Sequence, residues 1–103
     1  MAKKKRRWYY VSYYEEYPIY EPAEGGYYYA GNVLQFTHRV GSLKKARKLL
    51  KKYIEDAEQY HRPYDYIGKN YAYKDGGDYI GRGRELRIET VPGRRERGYV
   101  PYS

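Results

Sequence analysis

The residues of this chain best suited to proton transfer are its two histidines, His38 and His61. A histidine side chain gains or loses its charge near neutral pH, which is what a general acid or base needs. His38 alternates with Phe36 along a predicted strand, and His61 lies near the end of a predicted helix, where its positive form suits the helix dipole. Both positions favour a structural role. Histidine, lysine, arginine and tyrosine together would nevertheless suffice for a small metal-independent ribonuclease.

Metal and covalent chemistry find little support in the sequence. The chain has no cysteine and two histidines, which makes a zinc site a poor hypothesis. Two acidic pairs, Asp75 with Asp78 and Glu15 with Glu16, are more typical of solvated loops than of a metal-dependent nuclease. The glycine patterns of phosphate-binding loops and the serine motif of hydrolases are missing. We therefore expect a non-enzymatic protein without a metal site or a cofactor.

Lysine and arginine are concentrated in the first half of the predicted helix. Six bases fall between positions 44 and 52, and Glu55, Asp56 and Glu58 follow them. The helix dipole favours the opposite order, by about 0.3–1 kcal/mol for each well-placed charge, so helix stability does not explain this pattern. It indicates either a solvated lysine face or an anion-binding one, and a short Arg-Gly segment at 81–84 adds to the second reading. The predicted anion-binding or nucleic-acid-binding residues are Lys44, Lys45, Arg47, Lys48, Lys51, Lys52, Arg82 and Arg84.

Tyrosine dominates the aromatic residues, with 18 in 103 positions against one Phe and one Trp. A tyrosine ring can pack in a core, stack on a nucleotide base or contact another protein. Leu, Ile, Val and Phe are too few for an ordinary core, and with a high net charge this would favour disorder. Buried tyrosine rings can replace them, so we expect a core that is partly tyrosine. The predicted stacking or interface residues are Trp8, Tyr10, Tyr14, Tyr27, Tyr28 and Tyr29.

The net charge of +8 and the pI of about 9.5 favour an anionic partner. Nucleic acid, an acidic protein face and an anionic membrane surface all qualify, and solubility alone is the remaining alternative. No apolar run approaches the roughly 20 residues of a membrane span. The basic start is not followed by the apolar stretch of a signal peptide. We expect a cytoplasmic protein with no membrane partner, and the sequence leaves its oligomeric state open.

The clearest predicted element is a helix over residues 42–60. Ser42 can cap it. The apolar residues that follow recur every three or four positions, which predicts one buried stripe of Leu43, Ala46, Leu49, Leu50, Tyr53, Ile54, Ala57 and Tyr60. Alternation predicts strands at 8–14 and 32–40. Between them we expect an acidic, proline-containing loop at 15–26 and an extended path at 27–29. Two further strands are predicted within 64–73 and at 85–91. Both faces of 8–14 are aromatic, so the pattern does not say which one points inward.

This order, β-β-α-β-β, predicts an α+β fold. A small two-layer domain would pack an antiparallel sheet of about four strands on one amphipathic helix. Leu34, Phe36 and Val40 are expected on the core face of their strand. The other face of the sheet is expected to stay free and to carry tyrosine and basic residues. The predicted organisation is a basic N-terminal arm at 1–7, a single domain at 8–92 and a basic flexible tail at 93–103.

Cations beside aromatic rings are typical of nucleic-acid binders, in which the cations meet phosphates and the rings stack on bases. The signature motifs of the common RNA-recognition and KH domains are missing. Our first hypothesis is a binding module for nucleic acid or a nucleoprotein complex. The second is a protein-interaction module, in which Tyr27, Tyr28, Tyr29 and the acidic loop contact a host protein, and the third is a small ribonuclease.

The size, the tyrosine content and the β-β-α-β-β order also resemble those of small accessory proteins of phages and other mobile elements. That resemblance implies a protein that occupies a host defence or nucleic-acid enzyme, as anti-CRISPR inhibitors do. It supports the second hypothesis, and it assigns a role to no individual residue.

Overall fold

The structure is a computed structural model, and it describes residues 7–21, 26–76, 83–93 and 99–101. Within these ranges the elements are β1 (Tyr9–Glu21), β2 (Tyr27–Val40), α1 (Leu43–Gln59), β3 (Tyr66–Ile67), β4 (Tyr71–Lys74), β5 (Arg84–Glu89) and β6 (Tyr99–Pro101). The strands form one antiparallel sheet in the order β3-β4-β5-β1-β2-β6. One helix packed on this sheet confirms the predicted small α+β fold. The strand count is higher than the predicted four or so, and two of the six strands have only two and three residues.

The helix α1 begins and ends close to the predicted positions. Ser42 has an extended backbone, and its hydroxyl oxygen accepts a hydrogen bond from the backbone N–H of Lys45 at 3.1 Å. This bond satisfies one of the amides that the first turn of a helix leaves without a partner. After the helix, His61 takes a left-handed backbone angle, φ 58°, and the chain turns back towards the sheet. The fully buried positions of the helical stripe are Ala46, Leu50 and Ile54.

The core lies between α1 and one face of the sheet, where the helix crosses β1, β5 and β2. Val11 on β1 is fully buried and Leu86 on β5 is almost so, and Ala72 on β4 pairs with Leu86. Tyr9 and Tyr13 flank Val11 and pack partly against the same cluster. The face of β1 with odd residue numbers therefore points to the helix. This settles the question that the two aromatic faces of the strand left open.

The predicted loop at 15–26 is wrong over 15–21, because β1 continues to Glu21, and β2 starts at Tyr27. Positions 22–25 lie outside the described residues. Together β1 and β2 form a long hairpin, and Pro18 pairs with Ala30 inside it. Glu16 donates its backbone N–H to Gly83 on the β5 side at 2.8 Å. Because backbone direction alternates along a strand, the nitrogen of Pro18 also points away from β2. The missing N–H of proline therefore costs no hydrogen bond within the hairpin.

The prediction that Leu34 and Phe36 share a core face is wrong. A β-bulge shifts the register of the β1–β2 pair, so that Tyr13 pairs with Phe36 whereas Tyr14 pairs with Leu34. Tyr13 and Tyr14 lie on opposite faces of β1, and residues directly opposite each other on paired strands share a face. The bulge thus sends Leu34 to the far side of the sheet. It leaves Phe36 on the helix side but 41% exposed.

The second face of the sheet is not free at its centre, contrary to the prediction. Tyr14 is fully buried there, and its hydroxyl donates to the carboxylate of Glu89 at 2.6 and 2.7 Å. Gly93 lies over the same face, because a Cβ placed at position 93 would be 3.8 Å from Leu34 Cδ2. The chain that follows β5 therefore covers part of this face. Tyr14 also confirms that the core is partly tyrosine, as does Tyr64, which is 9% exposed under α1.

The predicted tail at 93–103 contributes to the sheet. Residues Tyr99–Pro101 form β6 and pair with β2 at positions 29–31. Of the predicted basic arm at 1–7, only Arg7 lies within the described residues, and it is exposed. No helix in the described part of the chain is both long and apolar enough to cross a membrane.

Candidate functional site

The outer surface of α1 carries the predicted cations. All six of them are exposed: Lys44, Lys45, Arg47, Lys48, Lys51 and Lys52, hereafter the cation face. Among the residues that the structure describes, no carboxylate forms an ion pair with any member of this set. The two ion pairs found there lie elsewhere, Lys74 with Asp65 at 3.1 Å and Arg87 with Glu85 at 3.2 Å. As far as the described residues go, the positive charge of the cation face is therefore left to solvent or to a ligand.

One member of the cation face has a polar contact within the chain. The guanidinium Nε of Arg47 donates to Asn70 Oδ1 at 3.1 Å, which ties the start of α1 to the turn between β3 and β4. Four of the other cations line a shallow depression of about 540 Å³, together with Leu49 and Glu55; these four are Lys45, Lys48, Lys51 and Lys52. Leu49 gives this depression an apolar floor. The aliphatic stems of the lysines can pack around that floor while their ammonium groups stay in water.

A second cavity opens beside the C-terminal half of α1. It has a volume of about 270 Å³, and we call it the aromatic cleft after the rings that line it, Tyr13, Phe36, Tyr53, Tyr60 and Tyr64. Tyr13 and Phe36 stack with their ring centroids 5.3 Å apart. Tyr60, after the last turn of α1, is 77% exposed at the rim. The cleft therefore combines a fixed aromatic wall with an open aromatic edge.

Arg84 forms part of the structure of the cleft, which makes it less accessible to a ligand than the sequence predicts. Its Nη2 donates to the backbone oxygens of Arg62 and Pro63 at 3.0 and 3.1 Å. Its guanidinium also lies over the ring of Tyr64, 4.8 Å from the ring centroid. These contacts hold the segment after α1 against the sheet. Arg82, the other predicted anion-binding residue of this segment, lies outside the described residues.

The phenol groups of the cleft are poor candidates for acid–base chemistry. Burial raises the pKa of Tyr64 to about 12. Burial also raises the pKa of Tyr13, with a further contribution from the charge of Glu15, and it raises the pKa of Tyr53, to which Asp56 contributes. All three hydroxyls therefore stay protonated near neutral pH. They can donate hydrogen bonds, but they do not supply a base or a nucleophile.

Two charged side chains line the cleft without a partner in the described part of the chain. They are Asp56, on α1, and Arg62, just after it. Neither side chain takes part in a hydrogen bond or an ion pair with any described residue. Lys52, one helical turn before Asp56, does not reach it. An acceptor and a donor are therefore available to a ligand inside a cavity whose other lining side chains, apart from Arg84, are aromatic or aliphatic.

Of the predicted aromatic residues, the three with described side chains are not brought together with the cation face; they are Trp8, Tyr10 and Tyr14. Trp8 lies under Arg39, whose guanidinium carbon is 4.3 Å from the ring centroid. Tyr10 shares the second face of the sheet with Arg39, its partner on β2. Tyr14 is fully buried, so its ring cannot stack on a ligand as predicted. The side chains of Tyr27, Tyr28 and Tyr29 lie outside what the structure describes, although their backbone is in β2.

The aromatic cleft is the part of the site that sequence reasoning missed. Phe36 was assigned to the core, and Tyr53 and Tyr60 to the buried helical stripe. The stripe did contain a signal, because Asp56 and Arg62 bracket its last turn and a buried face does not usually carry unpaired charge. The β-bulge that leaves Phe36 open to solvent leaves no trace in the residue pattern.

Within the ranges that the structure describes, no three His, Cys, Asp or Glu side chains are grouped closely enough to hold a metal ion. The two histidines, His38 and His61, are both exposed. Comparisons of this chain with protein-family models, with curated proteins and with solved structures find no match.

Proposed function

We propose that this protein is a non-enzymatic binding module for single-stranded nucleic acid, whether free or within a nucleoprotein complex. In this proposal the cation face of α1 contacts phosphates, and the aromatic cleft contacts unpaired bases. The observation that carries the proposal is that both surfaces belong to the same helix. Leu49 and Lys52 line the depression of the cation face, and Tyr53 and Asp56 follow on the same flank and line the cleft.

The chemistry of the two surfaces fits the two parts of a nucleotide. Exposed ammonium groups without carboxylate partners gain free energy when a phosphate backbone releases its counterions to bind them. A base that stacks on an aromatic side chain contributes about 1–3 kcal/mol. The bases of a duplex are already stacked on each other and cannot enter a cavity. A concave aromatic cavity therefore favours an unpaired base. These arguments favour a single strand over a duplex.

Salt dependence tests the phosphate contacts. Fluorescence anisotropy with a labelled thymidine oligomer should give an affinity that falls steeply as salt rises. If all six cations bind phosphates, the logarithm of the affinity should fall against the logarithm of the salt concentration with a slope of about −4, since each contact on a single strand contributes roughly 0.7. An affinity that does not change between low and physiological salt would show that the proposal is wrong.

Charge reversal tests whether the cation face is the binding surface. The double variant Lys48→Glu and Lys52→Glu should lose at least about tenfold in affinity and should show a shallower salt slope. The matched control, Arg7→Glu with Lys69→Glu, makes the same change in net charge at two other exposed positions. Equal losses in both variants would mean that binding follows total charge, and they would contradict a specific role for α1.

A second candidate is a protein-interaction module, for example an inhibitor of a host defence or nucleic-acid enzyme. The observation that favours it is the outer edge of β2, where β6 pairs only with positions 29–31. In the described chain no other strand pairs with the rest of that edge, and an open edge can accept a strand from a partner. Affinity purification from the native host, with and without nuclease, separates the candidates. A single host protein retained after nuclease treatment would favour this one.

A further inference from the structure

The proposed function does not explain why the aromatic cleft contains a carboxylate, that of Asp56. A carboxylate inside a binding site for a polyanion repels the phosphates of the ligand, so a site that bound phosphate alone would gain from losing it. Asp56 is half-buried and lines the cavity, and its carboxylate forms no hydrogen bond or ion pair with any described residue. Glu55 and Glu58, its acidic neighbours on α1, are exposed. Asp56 is therefore the acid of this helix that a ligand in the cleft would meet.

The bases differ in what they offer to a carboxylate. An ionised carboxylate only accepts hydrogen bonds, and its two oxygens can accept two parallel ones. Guanine presents two adjacent donors on its Watson–Crick edge, N1–H and the N2 amino group, next to the acceptor O6. Adenine and cytosine each present one donor beside a ring nitrogen acceptor, and thymine and uracil present one donor between two carbonyl oxygens. Among the common bases, guanine alone matches both oxygens of a carboxylate.

The second polar group of the cleft completes this match. Arg62 carries a guanidinium, which only donates, and guanine O6 is an acceptor directly beside N1–H. An acceptor group and a donor group in one cavity therefore correspond to the donor, donor, acceptor order along the edge of guanine. The volume of about 270 Å³ lies just below the roughly 300 Å³ at which pockets for drug-sized ligands begin, which suits one base.

We propose that the aromatic cleft selects one unpaired guanine of a bound strand, with Asp56 accepting its N1–H and N2–H and Arg62 donating to its O6. This inference depends on the proposed function, because the strand is held by the cation face on the same helix. The rings of Phe36 and Tyr60, the two most exposed of the cleft, supply the surfaces against which the base stacks. A guanine in a strand is preferred to a free guanine nucleotide, which would gain nothing from the lysines beyond its own phosphate.

The test compares thymidine oligomers that are identical except for one central base. By fluorescence anisotropy, the oligomer with a central guanine should bind about tenfold more tightly than those with adenine, cytosine or thymine, the effect of one or two hydrogen bonds to a charged group. Hypoxanthine at that position keeps N1–H but lacks the 2-amino group, so it should lose most of the preference. Free guanosine monophosphate should compete far more weakly than the guanine oligomer.

The variant Asp56→Asn tests whether the carboxylate of Asp56 selects guanine. It keeps the size of the side chain but replaces one acceptor by a donor, so the preference for guanine should disappear while the all-thymidine oligomer still binds. Glu58→Gln is the matched control, since it removes a nearby negative charge of the same helix at an exposed residue that lines neither the cleft nor the depression of the cation face, and it should keep the preference. Circular dichroism confirms that both variants fold.

The outcomes separate this inference from the proposed function. Wild-type protein that binds all the oligomers equally, or Asp56→Asn that keeps the guanine preference, would overturn the inference and leave the proposed function standing. Competition by guanosine monophosphate as effective as that by the oligomer would overturn the preference for a strand. Failure to bind any oligomer at low salt would remove the proposed function itself.

Discussion

Phe36 of β2 and Tyr53 of α1 meet edge to face, with their ring centroids 5.4 Å apart. This contact closes the space between the helix and the sheet at one wall of the aromatic cleft. An aromatic pair in this geometry contributes about 0.5–1.5 kcal/mol beyond the area that it buries. The cleft therefore has a wall held in place by packing, on which a further ring can stack without first ordering the side chains.

Removal of the exposed ring at the rim should weaken binding without unfolding the protein. We expect Tyr60→Ala to reduce the affinity for a guanine-containing oligomer by about 1–3 kcal/mol, the contribution of one stacked base. Tyr60 is 77% exposed, so its truncation should change the free energy of unfolding by no more than about 0.5 kcal/mol. Anisotropy and urea denaturation measure the two effects.

Tyr66→Ala is the control for this substitution. Tyr66 is 58% exposed on β3, at the opposite edge of the sheet from β2, and it does not line the cleft. Its truncation should leave the affinity unchanged. Equal losses of affinity from the two substitutions would mean that exposed tyrosine rings bind nucleic acid without regard to the cleft.

The buried pair on the second face of the sheet should matter for stability. Tyr14→Phe removes the hydroxyl that donates to Glu89 and leaves a buried carboxylate without its described donor. We expect the free energy of unfolding to fall by about 1–3 kcal/mol, the usual effect of leaving a buried polar group unsatisfied. Urea denaturation measures it, with Tyr66→Phe as an exposed control that should change little. Equal stability in wild type and Tyr14→Phe would contradict the assigned bond.

Alkaline pH should weaken the fold through Tyr64. Burial raises the pKa of Tyr64 to about 12, whereas a tyrosine in the unfolded chain has a pKa of about 10. The unfolded chain thus loses this proton first, so the stabilisation is complete below pH 10 and is lost as the pH rises to 12. The free energy of unfolding of the wild type should fall, relative to that of Tyr64→Phe, by on the order of 2–3 kcal/mol over this interval. If the free energies of unfolding of the two proteins fell equally between pH 10 and pH 12, the pKa of Tyr64 would not be raised in the folded protein.

The sequence was sufficient to predict the helix and the fold class because both follow from local signals. Ser42 and the spacing of Ala46, Leu50 and Ile54 define α1, and one amphipathic helix needs a sheet to cover it. The same reasoning placed the cations on an exposed surface. These features depend on residues that are close together in sequence.

The errors in prediction came from relations between distant residues. A single extra residue in β2, opposite the step from Tyr13 to Tyr14, reverses the face of Leu34 and opens Phe36 to solvent. The burial of Tyr14 depends on Glu89, 75 positions away. The residue pattern along β1 carries no information on the bulge in β2 or on the position of Glu89. The aromatic cleft and the covered second face could therefore be found only from the three-dimensional structure.

Pro18 has a consequence for how the molecule behaves at high concentration. Beyond the point where β1 leaves β5, no described strand pairs with the side of β1 that faces away from β2. An exposed strand edge is a template on which another copy of the chain can add a further strand, the first step of many fibrils. On the side of β1 that faces away from β2, an incoming backbone would meet a ring nitrogen that has no hydrogen to give. Pro18 thus discourages another molecule from pairing with this side of β1. Its replacement by valine would restore the backbone N–H and remove this protection against aggregation.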